Sequence, residues 1–361
     1  MKRLCTAVLA LSTLLCATAL QGAGPEKPKV IIAVGGQASL FYLPLAIAAQ
    51  RGFFREEGLQ VEILDFAGGA KALQAMMGGS ADVVSGGFDH VLVMRARGQK
   101  LRAFVLQGAT PAISLGVATV RAAGYRSPKD LKGMKIGVTA PGSSTHAFVN
   151  HLLASVGLSS DDVSIIGVGT GPGAVANMRA GHLDAIANIE PTITLLERSG
   201  TIKVVVETVT VQGAKSAFGS ALPSGSLYTR DEFINANPNT VQALTNGMVR
   251  ALKWLGKASP DEIANVVPAQ YLLGDRGLYL AALKRNRESY SKDGLFPTGS
   301  AQAWHTVLSA FEPAVRDAVK QDTAAAFANE FALKALQKHN ANEFRRPTAG
   351  AHSPAPLRTV P

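Results

Sequence analysis

Val30-Ile31-Ile32-Ala33-Val34 followed by Gly35-Gly36-Gln37-Ala38-Ser39 opens a stretch that runs to Asp89 and decides the fold. The same unit recurs twice. Leu59-Gln60-Val61-Glu62-Ile63-Leu64 leads to Phe66-Ala67-Gly68-Gly69, and Ala81-Asp82-Val83-Val84-Ser85 leads to Gly86-Gly87-Phe88-Asp89. Each unit is an apolar run, a polar or glycine-rich loop and an amphipathic helix. Strands that alternate with helices predict a mostly parallel sheet with right-handed crossovers. Ligands of such sheets sit at the carboxyl ends of the strands, where loops meet helix N-termini. The three loops are therefore candidate walls of one binding site.

The N-terminus reads as a targeting segment. Met1-Lys2-Arg3 is basic, Leu4 to Leu15 is apolar but too short for a membrane span, and Ala17-Thr18-Ala19 offers small residues to a signal peptidase. Residues 1–24 are expected to be removed; a retained anchor or a lipid on Cys16 are the alternatives. Both cysteines, Cys5 and Cys16, lie in this segment. A mature chain without thiols has no disulfide, no zinc–thiolate site and no thiolate nucleophile. About 340 residues remain, enough for two domains, and 47% of the chain is apolar. The formal charge of +10 is dispersed, with short clusters such as Arg95-Ala96-Arg97 and Lys284-Arg285-Asn286-Arg287. Nucleic-acid binding needs basic charge gathered on one face, so no nucleic-acid partner is expected.

The pattern continues after Asp89. Leu101 to Leu106 and Ser114 to Val120 read as strands completing the first sheet. Ser127-Pro128-Lys129-Asp130 is a capping box. A second alternating region has strands at Met134 to Val138, Val163 to Ile166, Leu183 to Ala187 and Ile202 to Val206. From Thr229 onward the reading is helical, with Ser259-Pro260-Asp261-Glu262 opening one helix and Trp304, Val307, Leu308 and Phe311 at helical spacing on another. Residues 341–361, rich in proline near the end, are expected to be disordered.

Several motifs carry a family resemblance: Gly52-Phe53-Phe54-Arg55-Glu56-Glu57-Gly58-Leu59, Gly78-Gly79-Ser80-Ala81-Asp82-Val83, Gly137-Val138-Thr139-Ala140-Pro141-Gly142-Ser143-Ser144 and Ala180-Gly181-His182-Leu183-Asp184-Ala185. In order and spacing the chain resembles the nitrate/sulfonate/taurine (NitT/TauT) class of periplasmic substrate-binding proteins of ABC importers. The resemblance implies a two-lobed α/β fold of the type II-like kind, with the ligand cleft between lobes. Lobe 1 would be discontinuous, residues 25–119 and 225–340, and lobe 2 residues 120–224. It also implies a small-molecule ligand, an ABC permease in the inner membrane as partner, no cofactor, and a monomer in the periplasm. Phe53, Phe54, Asp82 and Asp184 are read as scaffold.

Candidate ligand contacts on the first lobe are Gln37 and Ser39, which can equally form a turn; Tyr42; and Gly68 and Gly69 at a helix start whose free N–H groups favour anions. Phe88 can stack on ligand, and Asp89 can cap its helix or meet a ligand N–H. His90 is read as structural. On the second lobe, Gly142, Ser143, Ser144, Thr145 and His146 form the strongest candidate, because hydroxyls and successive N–H groups meet there; N-capping by a serine is the alternative. Thr170, Gly171, Asn188 and Glu190 complete the set. None of these loops carries Lys or Arg, the residues that often hold a sulfonate or phosphate tightly, which disfavours a bare polyanion and allows a zwitterion, an aromatic carboxylate or a pyrimidine-like heterocycle. The family resemblance keeps a sulfonate or other carboxylate among the ligand classes.

The leading function is a non-catalytic receptor. The alternatives are an enzyme on the same fold, akin to a pyrimidine-precursor synthase, or a periplasmic sensor component. Intact mass of the exported protein should show loss of about 19 to 24 residues, as the basic–apolar–small pattern requires, and thiol titration should find no cysteine. A mature chain that begins at a lipid-bearing Cys16 would overturn the export reading.

Overall fold

The computed structural model describes residues 24–318 and 323–345. The expected targeting segment, apart from Gly24, and residues 346–361 lie outside them. The three opening units fold as read: β1 (Lys29–Val34), β2 (Gln60–Asp65) and β3 (Val83–Gly87) are parallel neighbours, with Val30 paired to Val61 and Ile32 to Val83. Helix α1 (Leu43–Gln50), preceded by a 3-10 turn, follows the first loop. Helices α2 (Gly69–Met77) and α3 (Phe88–Ala96) follow the second and third. The first sheet has the order β2-β1-β3-β10-β4, where β4 is Leu101–Leu106 and β10 is Gly225–Arg230.

The second sheet has the order β7-β6-β8-β5-β9. It is built from β5 (Ile113–Ala118), β6 (Lys135–Val138), β7 (Ser164–Gly167), β8 (Ala185–Ile189) and β9 (Ile202–Glu207). The expectation that Ser114 to Val120 completes the first sheet is corrected: β5 pairs antiparallel with β8 and β9. Residues 113–118 thus pack with the second sheet, not within the 25–119 assigned to lobe 1. The run Ile113-Ser114-Leu115-Gly116-Val117 is buried throughout, and a continuously buried strand carries no alternation to say which sheet it joins. The chain crosses between sheets twice, at 107–112 and 208–224. The crossings are tied together by Gln107 N–H to Gly225 O at 2.6 Å and Ala112 N–H to Thr208 O at 3.2 Å. Paired crossovers of this kind make a hinge.

Helices α4 (Ser144–Ala154), α5 (Pro172–Arg179) and α6 (Thr192–Arg198) flank the second sheet. After β10 the chain returns to the first lobe as helices, among them α7 (Pro238–Lys257), α8 (Arg276–Asn286), α9 (Ser300–Ser309) and α10 (Asn329–Arg345). Helix α7 starts behind a proline and buries Val241, Leu244, Met248, Leu252 and Leu255 on one face. The capping boxes at Ser127–Asp130 and Ser259–Glu262 form as read. Helix α10 runs to Arg345, so the disordered stretch expected from residue 341 starts too early. The sequence Ala341-Asn342-Glu343-Phe344-Arg345 contains no helix breaker.

Phe88 belongs to this core and not to a ligand surface. It is fully buried, 4.8 Å from the ring of Phe296 and 6.2 Å from that of Phe327. The segment of the chain after β10 supplies both partner rings. Phe88→Ala should lower unfolding stability by about 3–5 kcal/mol, read from urea denaturation. A variant as stable as the parent would return Phe88 to the list of cleft residues.

Candidate functional site

The carboxyl ends of β1, β3, β6 and β8 face one another across the two lobes, and each loop there leads into a helix start whose first N–H groups lack partners within the helix. Their approach is close. A Cβ at Gly35 would lie 2.3 Å from Gly69 N, and one at Gly36 would lie 2.2 Å from Thr170 Oγ1 on the other lobe. Gly36 also has φ of 105°, open to glycine but strained for other residues.

Hydrogen bonds join the lobes at the same place. Ala70 N–H, in the first turn of α2, donates to Ser143 Oγ at 2.9 Å, and Ser144 Oγ donates to Asp89 Oδ1 at 2.7 Å. Leu40 N–H donates to Glu190 O at 2.9 Å. Ser143 thus sits in the N-cap position of α4 yet makes no side-chain cap to it; its hydroxyl serves the other lobe's helix. Asp89 likewise makes no cap and holds Ser144.

Two cavities flank Ser143. One, of about 30 Å³, is lined by the expected Tyr42, Gly69, Ser143, Ser144 and Thr145, together with Phe41, Ile113, Thr139 and Ile189. The other, of about 300 Å³, is lined by the expected Asp89, Gly142, Ser143 and His146, and by His90, Asn150, Arg97 and Glu312. Tyr42 is almost fully buried, and burial pushes its hydroxyl well above the usual phenol range.

The remaining expected residues shape loops. Gln37 N–H donates to Asp65 Oδ1 at 2.8 Å, and Ser39 Oγ closes a turn onto Gly36 O at 2.7 Å. Thr145 Oγ1 accepts from Thr139 N–H, and Gly171 N–H donates to Thr192 Oγ1. Asn188 is fully buried and donates to Gly169 O. Glu190 Oε2 accepts from Thr194 N–H at 3.0 Å, at the start of α6. Burial raises the Glu190 carboxyl above the usual range, and Arg285 opposes that shift.

Arg285, on α8, was not anticipated. Its Nη1 is 2.6 Å from Glu197 Oε2, its Nη2 2.6 Å from Glu207 Oε2 and its Nε 3.5 Å from Glu190 Oε1. The loops themselves carry no cation, but Arg97, just past the end of α3, borders the larger cavity, and α8 brings Arg285 to Glu190 over a chain separation that local pattern cannot register. His90 and Asn150 gave no signal beyond sitting one residue past Asp89 and one turn past His146.

Two α/β lobes on paired crossovers, with helix starts converging between them, define the fold of a two-lobed solute-binding protein. The profile of the NMT1/THI5-like family matches residues 41–263, and the chain belongs to that family. The fold is that of the NitT/TauT type of substrate-binding proteins. A solved structure from Bordetella bronchiseptica RB50 is 52% identical, covers 88% of this chain and 100% of that one, and superposes with a TM-score of 0.86. The alkanesulfonate-binding protein SsuA from Xanthomonas axonopodis pv. citri, solved bound to MOPS, shares the fold at 22% identity and a TM-score of 0.64, over 85% of this chain and 100% of that one. A shorter match, 27% identical over 141 residues, links 39% of this chain to 40% of the 4-amino-5-hydroxymethyl-2-methylpyrimidine phosphate synthase of Schizosaccharomyces pombe. Among the described residues no helix is long and apolar enough to cross a membrane.

Burial lowers the imidazoles of His146 and His151, both on α4, below the usual value of 6.5. Neutral rings in the fold bind fewer protons than unfolded ones, so their contribution to stability is complete above about pH 6.5 and is lost as pH falls through the folded values. His146→Gln with His151→Gln should therefore flatten the loss of stability between about pH 7 and 5, measured as urea midpoints across that range. Parallel curves for parent and variant would show that these rings titrate as in the unfolded chain.

Proposed function

We propose that the protein is a receptor that captures one small polar solute between its lobes and hands it, unchanged, to an ABC permease in the inner membrane. The observation that carries this reading is the pair of cross-lobe hydrogen bonds, Ala70 to Ser143 and Ser144 to Asp89. Polar groups from both lobes converge on one place, so a solute that contacts both sides favours the closed arrangement over any open one. A signal peptide would deliver the chain to the periplasm, where it would act as a monomer without cofactor or nucleic acid. Gln37, Ser39, Tyr42 and Gly69 on one lobe and Gly142 to His146, Thr170, Gly171, Asn188 and Glu190 on the other are proposed as contacts or as the loop framework behind them. Asp89 is proposed as a contact from the first lobe.

The test has two parts. Protein purified without added ligand, then denatured, should release a small molecule that mass spectrometry finds unmodified after prolonged incubation with fresh protein. Stoichiometric conversion would move the protein to the enzyme reading. Ser143→Ala with Ser144→Ala removes one bond between neutral groups and one to a carboxylate, about 0.5–1.5 and 1.5–3 kcal/mol. Affinity for the released solute should fall about thirtyfold to two-thousandfold, and small-angle scattering should no longer show compaction on its addition. Unchanged affinity and compaction would remove both serines from the binding mechanism.

A further inference from the structure

The 300 Å³ groove beside the cleft holds three buried polar atoms without partners: His90 Nε2, His146 Nε2 and Asn150 Oδ1. Orphaned atoms of this kind are uncommon in a folded protein and call for an explanation. His90 lies on α3 of the first lobe and is only 4% exposed; His146 and Asn150 lie one turn apart on α4 of the second.

The hydrogen-bond partners fix what each atom offers. His146 Nδ1 accepts from Gly142 N–H at 3.0 Å, so the ring hydrogen is on Nε2. His90 Nδ1 lies 3.0 Å from Tyr228 Oη. Tyr228 is fully buried, and its hydroxyl hydrogen is satisfied only if it donates to that nitrogen, which again leaves the hydrogen on His90 Nε2. Protonation of either ring would keep it there. Two imidazole N–H donors, one from each lobe, therefore face the groove. Ser143 adds a third, since its Oγ accepts from Ala70 and its own hydrogen is free to donate.

The same two helices also supply acceptors. Asn150 Oδ1 is unpartnered, and Asp89 spends one lone pair on Ser144 out of about four that a carboxylate offers. Arg97 at the rim is 2.9 Å from Glu312, so the cation bordering the groove is already matched and Asp89 stands uncompensated. A net anion would meet that carboxylate in a partly dry site. Leu73, Val93, Met94 and Phe311 supply apolar surface.

We propose that this groove is the recognition end of the ligand site, and that it takes a net-uncharged molecule pairing an oxygen acceptor, held by His90 and His146, with an N–H donor, held by Asp89 and Asn150. The inference rests on the receptor reading above and narrows it: simple anions such as nitrate or an alkylsulfonate are poor occupants. Planar amides and zwitterions both have the required chemistry, and the probes separate them.

The experiment follows the two imidazoles in 15N-labelled protein by long-range 1H–15N spectra at pH 7. The probes are uracil for the planar amide, taurine for the zwitterion, and nitrate and ethanesulfonate for the anions. Uracil or taurine should shift the Nε2 signals of both His90 and His146. His146→Leu should weaken that probe at least tenfold, and His146→Gln, which keeps an N–H donor, should recover most of the loss. Thermal unfolding checks that both variants fold. Tighter binding of nitrate or ethanesulfonate, no shift of either imidazole by any of the four, or an unaffected His146→Leu would overturn the proposal. If purified protein still releases an unmodified solute that His146→Leu binds as the parent does, the receptor reading stands and the groove assignment alone fails.

Discussion

One hydrogen bond organises the centre of the molecule: the N–H of Ala70, in the first turn of a helix on one lobe, donates to the hydroxyl of Ser143, at the first turn of a helix on the other. Parallel sheets with right-handed crossovers leave helix starts, and their orphan N–H groups, at the carboxyl ends of the strands. With two such lobes face to face, each set of orphans must find water, a ligand or the other lobe. Here the other lobe answers. A bound solute therefore joins contacts the protein already makes across the cleft, and its affinity includes what those contacts contribute to the closed arrangement.

The opening stretch made the first sheet readable because each strand and its helix are local and follow clear periods. β1, β2, β3 and the helices after them lie close to where alternation put them, as do the capping boxes, which need only four consecutive residues. β5 was recognised as a strand and assigned to the wrong sheet, since a run buried on both faces carries no marker of its neighbours. β10 was missed because Gly225-Ser226-Leu227-Tyr228-Thr229-Arg230 mixes polar and apolar residues while lying buried between β3 and β4.

At the site, loops were legible and partners were not. Ser143, Ser144 and Gly69 do meet, but the sequence offered a local cap for Ser143 where the structure gives it a partner 73 residues away. Phe88 read as a candidate stacking ring because it opens a helix beside the cleft; Phe296 and Phe327, which bury it, are some two hundred residues further along the chain. The most recognisable motifs turned out to be framing. Asp82 Oδ2 accepts from Ile31 N–H at 3.0 Å and Asp184 Oδ2 from Lys135 N–H at 2.8 Å. The two lobes thus use the same carboxylate to pin the entry of equivalent strands, and the repetition marks construction, not recognition.

Arg285 has a consequence for motion. It belongs to the helical segment that returns to the first lobe, yet its guanidinium is shared among Glu190, Glu197 and Glu207 of the second. Separating the lobes would pull one cation from three carboxylates, two of them roughly 40% exposed. Dissolved ions can replace those partners only where water reaches them. The clasp is thus graded: its outer part loosens with the ionic strength of the surroundings, while the contact with buried Glu190 does not. The balance between open and shut would then be set partly by the medium in which the protein works, before any solute arrives.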